Sequence, residues 1–296
     1  MTAGGSLSKP WRSRAWQQHV AYTVLAGRRM RYIDVGEGPA VILVHGLAST
    51  WSAWHRNILE LATDHRVIAV DLPGFGRSDR LRGPVEIRHY ADALRQLLDR
   101  LGVGRVRIVG HSMGGIVAQQ FACRLPERSA ALVLVACGGP AGRLQESFFR
   151  GLGYGSAVLN LGSPSAFGSV LGGAMAVAPL RRRLIGWVVH DPSVISRELA
   201  ADMITTACRA PGTAAAVRAS LRDMHQQNGG LIACPTLVVA GRWDRIVSLT
   251  SIGHVAAAIP GARYEIMPDA GHNPMFERPE TFNALLRSFL GEFRAA

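Results

Sequence analysis

Short apolar runs alternate with amphipathic stretches along most of this chain, the pattern of a mostly parallel β-sheet joined by crossover helices. The runs predict strands over residues 40–44, 67–70, 105–109, 131–136, 235–240 and 263–267. Residues 18–25 and 30–35, flanking Gly27, read as an opening antiparallel pair. Helical spacing is clearest over 87–101, where Tyr90, Leu94, Leu97, Leu98 and Leu101 share one face and Gly102 and Gly104 stop the helix. Further helices are expected over 52–62, 113–125, 248–258 and 279–289. The class is therefore α/β, with helices flanking a mostly parallel sheet.

The rhythm breaks after Gly138 and resumes near Ile232. Residues 1–138 and 232–296 are expected to form one core, with residues 139–231 inserted as a helical cap over the sheet edge where active sites form. Residues 151–180 carry no charge, a length that would admit a membrane span. Seven glycines, Pro164 and Pro179 interrupt the segment, so it reads as an apolar, mobile part of the cap.

Composition supports a large core: 48% of the 296 residues are hydrophobic and 18% charged, with a mean hydropathy of +0.13. The formal net charge of +12 raises the question of a nucleic-acid partner. Lys9 is the only lysine, and the arginines are scattered, the densest runs being Arg28, Arg29, Arg31 and Arg181, Arg182, Arg183. That distribution describes a solvated surface and argues against nucleic-acid binding; weak contact of the cap with an anionic membrane surface is compatible with it. Cys123, Cys137, Cys208 and Cys234 form no CxxC pair and lack histidines at metal-ligand spacing, so no metal is expected. The first 25 residues have no apolar signal region, and a reducing, cytoplasmic setting is the default expectation. The oligomeric state is not legible.

The strongest chemical signal is Gly110-His111-Ser112-Met113-Gly114, which follows an apolar run and opens an amphipathic one. In that context the motif is a nucleophile elbow, lifting a serine hydroxyl clear of the backbone at a helix N-terminus. A serine at neutral pH needs a base. His272, in Asp269-Ala270-Gly271-His272-Asn273, follows the last predicted strand and is the candidate. Asp244, in Gly241-Arg242-Trp243-Asp244, follows the strand before it and is the candidate to orient that imidazole. The preceding strand ends in Ala136-Cys137-Gly138-Gly139 with no carboxylate. Acyl transfer also needs donors for an oxyanion; the Met113 amide supplies one and Leu47, in the turn after His45-Gly46, the other. His45 itself is expected to pack beneath that turn.

Together His45-Gly46, the segment 71–78, the run 110–115, Gly241 to Asp244 and Gly271-His272 resemble the capped α/β-hydrolase superfamily, over most of residues 20–137 and 232–293. The resemblance implies an α/β-hydrolase fold of about eight strands and no cofactor. Ser112 separates the chain from epoxide hydrolases and haloalkane dehalogenases, which carry Asp there. Hydrolases that cleave carbon–carbon bonds often have Asn before the serine and Trp after the histidine; here these are His111 and Asn273. The Gly-His-Ser-Met-Gly-Gly run most resembles serine carboxylesterases and small lipases, which implies a small-molecule ester as substrate, with apolar acyl groups expected. Trp51, Phe148 or Phe149, and Trp187 are candidate pocket walls. Two alternatives remain: a carbon–carbon bond hydrolase of a vinylogous diketone acid, and a slow-turnover ligand receptor that keeps the three residues.

Overall fold

In the computed structural model, which describes residues 14–139, 172–223 and 231–293 together with Gly151 and Val170, eight strands form one sheet. They are β1 (Val20–Leu25), β2 (Arg28–Val35), β3 (Ala40–Val44), β4 (Arg66–Val70), β5 (Val106–His111), β6 (Ser129–Val135), β7 (Thr236–Gly241) and β8 (Arg263–Met267). Their order across the sheet is β1-β2-β4-β3-β5-β6-β7-β8. β1 and β2 pair antiparallel, as do β2 and β4, and every later pairing is parallel.

The parallel strands are apolar at nearly every position because both faces are covered. Ile42 and Val44 of β3 face a layer containing α1 (Ile87–Arg100) and α2 (Met113–Arg124). Val41 and Leu43 face the opposite layer, with Trp54, Ile58 and Phe282. The period of two thus survives inside an unbroken apolar run. On α1 the stripe of Tyr90, Leu94, Leu97 and Leu98 is at most 1% exposed, and each such side chain contributes roughly 1.5–3 kcal/mol by leaving water. α6 (Leu249–Ala258) packs on the α1/α2 layer and α7 (Pro279–Gly291) on the other. Edge strand β8 exposes Arg263 and Glu265, charges that discourage pairing with another chain.

Two local expectations are corrected. The opening hairpin is tighter than predicted: Leu25 pairs with Arg28 across a two-residue turn of Ala26 and Gly27, both at positive φ. The helix expected over 52–62 is split into a 3-10 turn, Trp51–Trp54, and a short helix, Ile58–Leu61. Between them the buried Asn57 amide donates to Met275 O at 2.9 Å and Asn283 Oδ1 at 2.7 Å. A tertiary bond, invisible to local periodicity, sets the break.

Between β6 and β7 the described residues form α3 (Ala178–Ile185), α4 (Arg197–Cys208) and α5 (Thr213–Asp223). Met175, Ile185, Val189, Ile195, Leu199 and Ala200 make a separate apolar cluster, which Phe276 joins from the short helix beyond His272. Of the uncharged stretch 151–180, Val170, Val177 and Leu180 are exposed, and most of the rest lies outside the described residues. Among the described residues no helix is long and apolar enough to cross a membrane.

Candidate active site

β5 ends at His111, α2 begins at Met113, and Ser112 makes the turn between them at φ 52°, ψ −120°. A non-glycine residue in that region is strained by about 1–3 kcal/mol. The turn is held by Ser112 N–H donating to Val135 O at 2.8 Å and Gly115 N–H donating to Ser112 O at 2.9 Å. Only glycine fits the flanks: a Cβ on Gly110 would stand 2.7 Å from the Gly115 Cα, and one on Gly114 would stand 2.8 Å from the Val44 carbonyl carbon. The Ser112 side chain makes no capping bond to α2, so its hydroxyl is uncommitted to the helix end. As the first residue of α2, Met113 has no carbonyl within the helix to receive its N–H.

Asp244 follows β7 and His272 follows β8, so adjacent strands deliver both to the same sheet edge. His272 Nδ1 lies 2.8 Å from Asp244 Oδ2, with 7% and 0% of the two side chains exposed. The other oxygen, Asp244 Oδ1, accepts the N–H groups of Ile246 at 2.8 Å and Val247 at 2.9 Å. The carboxylate is thereby fixed on both sides, and a proton on Nδ1 leaves Nε2 as the basic nitrogen.

The other two histidines nearby are neutral supports. His45 Nδ1 donates to Gly46 O at 2.7 Å and its Nε2 accepts the Leu72 N–H at 3.0 Å. Burial holds its pKa down to about 4. His111 donates through Nε2 to His272 O at 2.8 Å, and burial, with His272 as a second cause, takes its pKa to about 3. Among the described residues no group of His, Cys, Asp or Glu could hold a metal ion.

One residue escaped the sequence reading. Glu277, 3% exposed, ends a four-residue helix, Pro274–Glu277, that follows His272 directly. Its Oε1 accepts the N–H groups of Gly271 at 3.0 Å and Asn273 at 3.1 Å, on either side of His272. Its Oε2 accepts His190 N–H at 2.6 Å, tying the histidine loop to the segment before α4. Burial pushes its pKa up while the three amides pull it down. The available signal was a carboxylate three residues beyond a proline that starts a helix. In Glu277→Gln the new NH₂ must face a backbone donor, so the loop should shift. We expect kcat to fall about 10–100-fold, the scale of a ~1 Å misplacement, with partial recovery in Glu277→Asp. Steady-state kinetics with unchanged kcat would show that His272 is positioned without it.

A cavity of about 280 Å³ brings together Leu47, Ser112 and His272. Leu184, Ile185, Val188, Leu199, Met203 and Phe276 give it a largely apolar wall. A smaller recess of about 30 Å³ adjoins Leu47, Ser112 and Met113. The pocket expectations fare differently. Trp51 lines a neighbouring cavity, and its backbone N–H is held by Asp71 Oδ1 at 2.9 Å. Trp187 is 55% exposed and is absent from the wall around Ser112. Phe148 and Phe149 lie outside the described residues.

A family model described as the alpha/beta hydrolase family matches residues 41–285. A 2-hydroxy-6-oxo-6-phenylhexa-2,4-dienoate hydrolase of Burkholderia cepacia is 32% identical over 284 residues, covering 90% of this chain and 92% of the relative. A thermophilic esterase from Thermogutta terrifontis superposes with a TM-score of 0.75 at 28% identity, over 93% of this chain and 98% of that one. A meta-cleavage product hydrolase from Pseudomonas fluorescens gives a TM-score of 0.74 at 26% identity, over 93% and 99%.

Proposed function

The chain belongs to the alpha/beta hydrolase family, and from that premise we propose that it is a serine hydrolase cleaving carboxylic esters with apolar acyl groups. The observation that carries the reading is the His272–Asp244 bond at 2.8 Å beside a cavity shared by His272 and the strained Ser112. Ser112 Oγ attacks the acyl carbon while His272 Nε2 takes its proton. The Leu47 and Met113 amides stabilise the oxyanion, each worth ~3 kcal/mol. Collapse expels the alcohol, which receives the proton from His272. A water, deprotonated by His272, then attacks the acyl-enzyme and frees the acid and Ser112. Residues 139–231 act as a cap, α3 and α4 supplying the apolar roof of the cavity.

Two of the similar proteins, the dienoate hydrolase and the meta-cleavage product hydrolase, suggest a second reading, cleavage of a carbon–carbon bond in a dienone acid. His111 and Asn273 weigh against it: His111 is buried and spent on the His272 carbonyl, and Asn273 Nδ2 on Val188 O at 2.7 Å. A panel of nitrophenyl esters of rising acyl length, run beside a dienone acid, separates the readings. We expect a burst of nitrophenol followed by steady turnover, with kcat/KM rising for apolar acyl groups. Dienone-acid turnover without ester turnover would reverse the assignment, and binding without turnover of either would make the protein a receptor.

A further inference from the structure

The cavity around Ser112 has a larger neighbour of about 870 Å³. Thr50, Ser52, Asp202 and Thr206 line both, so the two adjoin. The neighbour is aromatic and basic where the first is aliphatic: Trp16, Tyr22 and Trp51 line it with Arg31, Arg77 and Arg209.

This basic wall is built. Asp71, fully buried at the end of β4, accepts Trp51 N–H through Oδ1 at 2.9 Å and Arg77 N–H through Oδ2 at 3.0 Å. The same carboxylate pairs with Arg31 Nη1 at 3.5 Å. The Arg31 guanidinium lies 5.6 Å from the Trp51 ring centroid, and its Nε is buried without a hydrogen-bond partner among the described residues. One carboxylate therefore fixes the backbone at Trp51 and Arg77 and pairs with the Arg31 side chain, joining three different loops and strands. Arg209 caps α4, and three residues on Gly212 N–H donates to Gly74 O at 3.0 Å, which anchors that turn to the loop bearing Arg77. With Asp71 balancing Arg31, the exposed Arg77 and Arg209 outweigh Asp202, leaving the cleft positive. Neither Arg77 nor Arg209 has an ion pair among the described residues.

We propose that the larger cavity binds a carboxylate carried by the substrate at a distance from its scissile ester, while the apolar acyl part fills the cavity at Ser112. The inference rests on the ester-hydrolase reading above and names its substrate class: esters of amphiphilic acids. Guanidinium forks suit a carboxylate because they present two parallel N–H donors. Aromatic faces beside them accommodate the chain between the two ends of the substrate.

The test uses two nitrophenyl esters of one length, the monoester of suberic acid and its methyl-capped analogue, which differ in a single charge. Wild-type protein should favour the acid by about tenfold in kcat/KM, carried by KM. That preference should shrink at an ionic strength of about 0.5 M, where the Debye length is a few ångströms. In the double variant Arg77→Gln, Arg209→Gln the acid should lose about tenfold more than the methyl ester. Equal rates on both esters in the wild type, or equal losses in the variant, would overturn the proposal. If neither ester is cleaved, calorimetric binding of the two probes decides. Tighter binding of the acid, lost in the double variant, keeps the carboxylate site and removes the esterase reading; equal affinity removes the site.

Discussion

Replacing Ser112 with alanine is expected to remove fluorophosphonate labelling altogether and to cut ester turnover by several orders of magnitude. Alanine keeps the Cβ, so the backbone strain at φ 52° is unchanged, and the lost hydroxyl makes no capping bond to α2. Stability should therefore move by no more than about 0.5 kcal/mol, the range of substitutions that break no packing or polar network. What survives is the oxyanion hole and binding, in the serine-protease precedent ~10³–10⁴ over water. Ser220 is the sharpest competitor. It lines the small recess with Ser112, and its Oγ is buried without a partner among the described residues. Mass spectrometry of the labelled protein distinguishes the two, and label on Ser220 in the Ser112→Ala variant would move the nucleophile.

The arrangement of strands was legible because parallel strands covered on both faces read as unbroken apolar runs; residues 40–44 match β3 at both ends. The meeting of Asp244 with His272 was legible for a topological reason. Each follows a strand directly, and β7 and β8 are parallel neighbours, so their C-terminal ends must share an edge. What failed depends on tertiary hydrogen bonds. Asn57 breaks a helix by bonding to residues more than 200 positions away. Trp51, in the loop after β3, is expected at the Ser112 cavity, yet it lines the other one, where its backbone N–H is held by Asp71, twenty residues on. Glu277 gave little sign of itself because its partners are backbone amides, which carry no residue identity.

Asp244→Asn should leave the fold intact and lower kcat by ~10⁴, the loss found when the same substitution is made in a serine protease. Asparagine is nearly isosteric, and its carbonyl oxygen can still accept the Ile246 and Val247 N–H groups that hold Asp244 Oδ1. Its NH₂ then occupies the position of Oδ2 and faces His272 Nδ1. A donor there requires Nδ1 to accept, which places the imidazole proton on Nε2 and leaves no base for the Ser112 hydroxyl. The charge that would stabilise the imidazolium is lost as well. Asp269, exposed in the loop before His272, is the control. Asp269→Asn should retain near-full activity, and circular dichroism melts should place both variants within a few degrees of the wild type. Near-full activity in Asp244→Asn with a collapse in Asp269→Asn would move the orienting acid from the loop after β7 to Asp269.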